Sequence, residues 1–253
     1  MAAQRLGQHF LRDRRFLERI AQAACPAREP LVVEIGPGRG ALTEFLLARA
    51  ERVVAIEVDS ALVDALRKRF AAETRLTLVG ADVLRTDLGQ WGPAVVAGNL
   101  PYYITSGILT KILGLGPLLR HAVLLVQREV AQRLTARPGT RDYGYLTVQT
   151  NLSTFPEILF SVPPSAFWPP PKVHSAVVRV APRLPSDPWG FQDRAPFLEF
   201  VGQCFRYKRK TLRNNLVGIY GPAVERWPEA GLRAEQLSID QFINLYQRVA
   251  AGL

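Results

Sequence analysis

An amide, a rigid ring and an aromatic close the apolar run Ala94-Val95-Val96-Ala97-Gly98, as Asn99-Leu100-Pro101-Tyr102. The Asn99 amide oxygen and the Leu100 carbonyl can accept the two N–H bonds of an exocyclic amine, and Tyr102 can stack on the ring that bears it. Such a set suits chemistry on a nitrogen of a planar, amine-bearing base. A strand ending in an ordinary X-Pro turn is the plainer reading of the same four residues.

Three more groups with chemical potential end apolar runs upstream. Glu34-Ile35-Gly36-Pro37-Gly38-Arg39-Gly40-Ala41 places glycines where backbone must pass close to a ligand before a helix begins. Glu57, 21 residues after Gly36, can accept hydrogen bonds from the ribose hydroxyls of a nucleoside cofactor. Gly36-x-Gly38-x-x-Ala41 also satisfies the permissive dinucleotide fingerprint, so these two groups leave a nicotinamide cofactor and S-adenosylmethionine equally open. The third group, Gly80-Ala81-Asp82-Val83, offers a carboxylate that can accept from an adenine 6-amino group; alone, Asp82 reads as a helix cap or turn residue. Two acids and an amide in one nucleoside-sized crevice favour transfer of a methyl group to an amine, because a dehydrogenase has no use for the Asn-Leu-Pro-Tyr end.

The elements that must position these residues follow from periodicity. Leu31–Ile35, Arg52–Ile56, Leu76–Val79, Ala94–Ala97 and Ala122–Val126 read as strands, separated by helical patterns over Ala41–Ala50, Ser60–Phe70 and Ser106–Leu113. Such alternation predicts an α/β fold with a parallel sheet, whose ligands bind at the carboxyl ends of the strands. Tyr145–Leu152 and Val173–Val180 are expected to complete a mostly parallel seven-stranded sheet. Beyond the Pro-punctuated stretch 182–188, helical patterns cover Pro196–Phe205, Lys208–Val217 and Ile239–Val249. A boundary near Pro185 is expected, giving domains 1–184 and 185–253.

Composition narrows the partners. Lys+Arg 32 against Asp+Glu 22 gives a net charge of +10, which calls for an anionic partner. Of the basic residues, 27 are Arg and five Lys, a bias that favours phosphate and base contacts or reflects a GC-rich or thermophilic genome. Basic side chains cluster near the start (Arg5, Arg12, Arg14, Arg15, Arg19), from Lys111 to Arg141, and at Arg206, Lys208, Arg209, Lys210 and Arg213. In the last cluster Phe205 and Tyr207 alternate with the charges, the pattern of a phosphate-and-base surface. Cys25 and Cys204 form no metal or disulfide pattern, and His9, His121 and His174 have no ligand spacing, so no metal is expected. The absence of a signal-like or membrane-spanning run points to a cytoplasmic protein with no membrane partner.

The chain resembles the bacterial small-subunit (16S) ribosomal RNA adenine N6,N6-dimethyltransferases, kin of the large-subunit erythromycin-resistance methylases. Seven segments carry the resemblance in order: Gly7-Gln8-His9-Phe10-Leu11, Val33-Glu34-Ile35-Gly36-Pro37-Gly38, Ile56-Glu57-Val58-Asp59, Gly98-Asn99-Leu100-Pro101-Tyr102, Gln127-Arg128-Glu129-Val130-Ala131 with Tyr143-Gly144, Phe167-x-Pro169-x-Pro171-Lys172-Val173-x-Ser175, and Phe205 to Asn214. The resemblance implies a Rossmann-like class I S-adenosylmethionine-dependent methyltransferase fold with a small all-helical C-terminal domain for RNA recognition. It implies S-adenosylmethionine as cofactor, bound by His9, Leu11, Gly36, Gly38, Glu57, Asp82 and Asn99. It assigns the target adenine to Asn99, Leu100, Tyr102 and Phe167, with the two rings sandwiching the base. RNA contact would fall to Arg206, Lys208, Arg209, Lys210 and Arg213. The implied substrate is 16S rRNA in the small ribosomal subunit or its precursor, and the protein is expected to act as a monomer. His9 replaces the family's commoner Asn, and Tyr103 stands where many relatives carry Asn. Large-subunit rRNA methylation and a non-catalytic assembly or transcription role on the same fold are the alternatives.

Overall fold

Val- and Ile-rich runs bounded by glycine and polar residues form the strands of the computed structural model, which describes residues 9–183 and 193–251. In chain order they are β1 (Phe10–Leu11), β2 (Glu29–Ile35), β3 (Ala50–Glu57), β4 (Leu76–Gly80), β5 (Ala94–Asn99), β6 (Leu119–Gln127), β7 (Thr154–Val162), β8 (Phe167–Trp168) and β9 (Ser175–Pro182). The helices are α1 (Arg14–Ala24), α2 (Ala41–Leu47), α3 (Ser60–Arg69), α4 (Thr105–Leu113), α5 (Arg128–Leu134), α6 (Tyr145–Ser153), α7 (Ala195–Cys204), α8 (Leu212–Tyr220) and α9 (Ile239–Ala250). The chain divides into two units, one of Met1–Ala131 with Thr154–Pro182, the other of Gln132–Ser153 with Arg183–Leu253.

The first unit is a seven-stranded sheet in the order β4-β3-β2-β5-β6-β9-β7. The pairs β4-β3, β3-β2, β2-β5 and β5-β6 are parallel, while β9 runs antiparallel to both β6 and β7. The chain winds outward from β2 to β4 and then returns to β5, so the order reverses between β2 and β5. That reversal opens a crevice at the carboxyl ends of these two strands. β2 and β5 approach closely there: a Cβ built on Gly98 would lie 2.4 Å from the Ile35 carbonyl oxygen. A separate two-stranded ladder pairs Phe10 with Trp168 and Leu11 with Phe167.

The expected strand at Tyr145–Leu152 is the helix α6, and the seventh strand is β7 instead. Thr147, Val148, Gln149, Thr150 and Leu152 are all buried, so the helix carries no one-sided apolar stripe and its β-branched residues imitate a strand. Asn151 donates to the Thr147 and Leu134 carbonyls, and the Thr147 hydroxyl donates to the Arg133 carbonyl at 2.5 Å. β7 contains Pro156, which is tolerated because this strand lies at the sheet edge with β9 on one side only. The expected domain division differs in the same region, since residues 132–153 group with the helical unit. The position expected for the boundary, Pro185, lies outside the described residues.

The second unit is helical. Phe197, Phe200, Leu216, Phe242 and Leu245 meet in its core with Trp227 at the edge. α9 begins with a capping box, in which the Ser238 hydroxyl accepts from the Gln241 N–H and the Gln241 side chain accepts from the Ser238 N–H.

Candidate functional site

The carboxyl ends of β2, β3 and β5, with the turn after β4, surround a cavity of about 680 Å³. That volume falls within the range of small-molecule and cofactor sites. His9, Leu11, Gly36, Gly38, Glu57, Asp82, Asn99, Leu100 and Tyr102 all line it, so segments far apart in sequence converge on one space. Phe167 does not line it.

The turn after β2 has Gly36 and Gly38 at φ +66° and +58°, which L side chains rarely adopt. A Cβ on Gly38 would also meet the Phe10 ring at 2.9 Å. The Gly38 N–H donates to Glu57 Oε2 at 3.1 Å, while the Val58 and Asp59 N–H groups donate to Glu57 Oε1 at 3.0 and 3.1 Å. Glu57 is 5% exposed. Three backbone donors thus hold this carboxylate rigidly and leave Oε2 with capacity for a further hydrogen bond into the cavity. Asp82 is a turn residue that also faces the cavity. Its Oδ1 accepts from the Leu84 N–H at 2.9 Å to close a turn, and its half-exposed carboxylate also borders the cavity. A neutral, polyhydroxylated nucleoside with an amino-bearing base matches these acceptors.

At the end of β5, the Asn99 Nδ2 donates to the His9 carbonyl at 2.9 Å. That bond fixes the amide's orientation and leaves Oδ1 as the atom free to accept. The Leu100 N–H is taken by the Leu125 carbonyl at 3.0 Å, and no donor among the described residues takes the Leu100 carbonyl. The Tyr102 hydroxyl is hydrogen-bonded to Ser175 Oγ at 2.9 Å, which fixes its ring. Burial pushes the Tyr102 phenol pKa up, with the Ser175 bond opposing, so the ring stays neutral. The His9 ring lies 5.8 Å from the Tyr102 ring, and its Nδ1 donates to the Pro169 carbonyl at 2.8 Å. The side chain of His9 is therefore a clasp between two segments of the rim, and its carbonyl is what reaches Asn99.

Glu34 is a cavity residue to which its place in the sequence assigned no role. It is 1% exposed and accepts a hydrogen bond from the Thr43 hydroxyl at 2.6 Å. Burial raises its pKa from 4.5 to about 8, against the Thr43 bond and with a further push from the Glu57 charge. The signal was an acid inside the apolar run Leu31–Ile35, where charge is costly unless protonated.

The ring expected opposite Tyr102 lies elsewhere. Phe167 is 4% exposed and packs with Leu17, Val162 and Val177 in the core. Side chains alternate along a strand, so its neighbour Trp168 faces outward and is 50% exposed.

In the second unit, Arg206, Lys208, Arg209, Lys210 and Arg213 are exposed, and none pairs with a carboxylate among the described residues. Buried Asn215 shapes the loop that bears most of them: its Oδ1 accepts from the Tyr207 N–H at 3.1 Å and its Nδ2 donates to the Cys204 carbonyl at 3.0 Å. The Lys208 ammonium donates to the Arg141 carbonyl at 2.8 Å, bringing two basic segments together.

Comparison with known proteins gives consistent matches. The family model described as ribosomal RNA adenine dimethylase matches residues 2–251. A ribosomal RNA small subunit methyltransferase A from Acidobacterium capsulatum is 42% identical over 254 residues, spanning 96% of this chain and 89% of the relative. Among solved structures, a dimethyladenosine transferase from Plasmodium falciparum has a TM-score of 0.81 at 26% identity, covering 96% of this chain and 98% of that one. The 23S rRNA methyltransferase ErmE has a TM-score of 0.72 at 30% identity, covering 95% and 99%.

Proposed function

We infer the reaction from one premise: the chain belongs to the ribosomal RNA adenine dimethylase family. It is an S-adenosylmethionine-dependent rRNA adenine dimethyltransferase. The substrate we propose is a pair of adjacent adenines in a loop near the 3′ end of 16S rRNA, within the small subunit or its precursor. The protein acts on it as a monomer, in the cytoplasm and without a metal. The name of the 42%-identical relative and the basic run Lys208-Arg209-Lys210 support this choice of RNA. The sheet unit is the methyl-transfer domain and the helical unit the RNA-recognition domain. No helix among the described residues is long and apolar enough to cross a membrane.

The observation that carries the site assignment is the Asn99 amide, locked by the His9 carbonyl with its oxygen left for an amine. Gly36, Gly38, Glu57 and Asp82, with Leu11 and the His9 backbone on the rim, would hold the cofactor. The fit rests on the spare acceptor capacity of Glu57 and the close backbone turn. When bound, the cofactor supplies a methyl group on a sulfonium, which leaves readily. Activation of the acceptor falls to the protein, because the N6 lone pair of adenine is delocalised into the ring. Asn99 Oδ1 and the Leu100 carbonyl accept the two N6–H bonds, favour a pyramidal nitrogen and stabilise the positive charge that develops there. Tyr102 stacks on the base and fixes the line of approach, and positioning of this kind supplies ~7–11 kcal/mol. After one methylation and loss of a proton from the cationic nitrogen to water, a single N–H remains, and a stacking grip holds the ring whatever N6 carries, at ~1–3 kcal/mol.

The test is to incubate the protein with labelled S-adenosylmethionine and under-methylated small subunits, large subunits and naked RNA, and to map the label. Small-subunit adenines are expected to carry it; label confined to large-subunit RNA would overturn the proposal. Asn99→Ala should abolish transfer while cofactor binding persists, and retained transfer would remove Asn99 from its role.

A further inference from the structure

Trp168 exposes half its surface beside the cavity rim, and two guanidiniums lie against its ring. The Arg12 guanidinium carbon is 4.8 Å from the ring centroid and that of Arg39 is 5.7 Å away. Arg39 also lies 5.0 Å from the Phe10 ring, and Phe10 is the cross-strand partner of Trp168. The result is a layered group of one indole, one phenyl ring and two guanidiniums on the β1–β8 ladder. Arg12 and Arg39 both line the cavity, so the group borders the space where the target base is bound. Neither guanidinium pairs with a carboxylate among the described residues, although Arg14 and Arg69 nearby both approach Glu44.

An exposed indole holding two cations without acidic partners has the chemistry of a nucleotide subsite. The indole face and the guanidinium planes stack on a base, and the uncompensated charge takes its phosphate. We propose that Trp168, Arg12 and Arg39 bind an RNA nucleotide flanking the target adenine and hold the strand in place while the neighbouring base reacts. This inference rests on the RNA methyltransferase reading above. It gives the outward ring of this loop a stacking partner on the flanking nucleotide, a place separate from the one opposite Tyr102 that was expected of Phe167, which is buried in the core. It also explains why an exposed tryptophan is tolerated at the rim, since its ring is stacked on guanidiniums until RNA arrives.

RNA binding, its salt dependence, cofactor affinity and methyl transfer together separate the inference from the reading beneath it. Binding of a short oligoadenylate RNA is followed by fluorescence anisotropy and by quenching of protein tryptophan emission, for the wild type, Trp168→Ala and Trp168→Phe. Trp168→Ala is expected to weaken RNA binding about 5- to 150-fold, the span of one aromatic stack, and to remove most of the quenching. Trp168→Phe is expected to recover part of the affinity. Arg39→Gln should flatten the dependence of log affinity on log salt by ~0.7 if one phosphate contact is lost. Cofactor affinity, measured by calorimetry without RNA, should be the same for wild type and Trp168→Ala. Wild-type RNA affinity in Trp168→Ala, or an RNA loss matched by an equal loss of cofactor affinity, would overturn the inference. Methyl transfer to under-methylated small subunits tests the reading alone: if the wild type transfers nothing while Trp168→Ala still loses RNA affinity, the reading fails and the subsite stands.

Discussion

Glu34→Gln tests whether a carboxyl is stored protonated beneath the glycine turn after β2. In the fold this group has a pKa of about 8 against an ordinary 4.5, because it is fully buried beside the Glu57 charge and has one hydroxyl partner. The folded state therefore binds this proton more tightly than the unfolded chain. Its contribution is complete below pH 4.5 and is lost progressively as pH rises through 8, after which it levels off. Each pH unit inside that window is worth about 1.4 kcal/mol, so the whole window spans about 5 kcal/mol. A neutral amide of the same shape accepts the Thr43 hydrogen bond but does not titrate. Urea unfolding of both proteins, repeated at intervals from pH 4.5 to 9, isolates this one group from all others. The stability of Glu34→Gln relative to wild type should climb steadily between pH 5 and 8 and then flatten. A difference that stays constant across the range would refute a protonated Glu34.

Other perturbations address the sheet, the helical unit and the RNA surface. Gly98→Ala should destabilise the protein by at least ~1–3 kcal/mol in denaturant melts, since its Cβ would lie 2.4 Å from a main-chain oxygen on β2. Tyr143→Phe should leave stability unchanged or raise it by ~1 kcal/mol, because the Tyr143 hydroxyl is buried without a hydrogen-bond partner among the described residues; a clear loss in thermal melts would overturn that reading. Neutralising Lys208, Arg209 and Lys210 should flatten the salt dependence of RNA binding by ~0.7–0.9 per lost contact. An unchanged slope would take these residues out of the interface. Within that set Arg209 and Lys210 are the cleaner probes, as Lys208 also holds the Arg141 carbonyl.

The central strands were legible because β2, β3, β5 and β6 are buried on both faces and read as continuous apolar runs. The rule that ligands gather at strand ends then led from those runs to Gly36, Glu57, Asp82 and Asn99. Legibility failed where pattern and environment part company. α6 is buried nearly all round, so Tyr145–Leu152 shows no helical period. β7 carries Pro156 and Glu157, which only an edge strand admits. The excursion of residues 132–153 into the helical unit has no compositional mark, unlike the prolines of 182–188. A two-residue ladder such as β1–β8 is too short for any periodicity, and with it the burial of Phe167 and the exposure of Trp168 were hidden. Motif position pointed to that loop, and one step of strand alternation decided which of its two aromatic rings faces outward.

The bond from Asn99 to the His9 carbonyl crosses 90 residues of chain, and the ring of that same histidine is held by a carbonyl 160 residues further on. The Asn99 amide is thus a rotor with two settings, oxygen outward or nitrogen outward. With nitrogen outward, a donor would face the donors of the target amine. A net hydrogen bond of ~1 kcal/mol biases such a rotor about fivefold. The N-terminal segment therefore acts as a setting screw: loosening residues 9–11, with the sheet and the glycine turn after β2 left intact, would leave a protein that presents the wrong end of Asn99 much of the time.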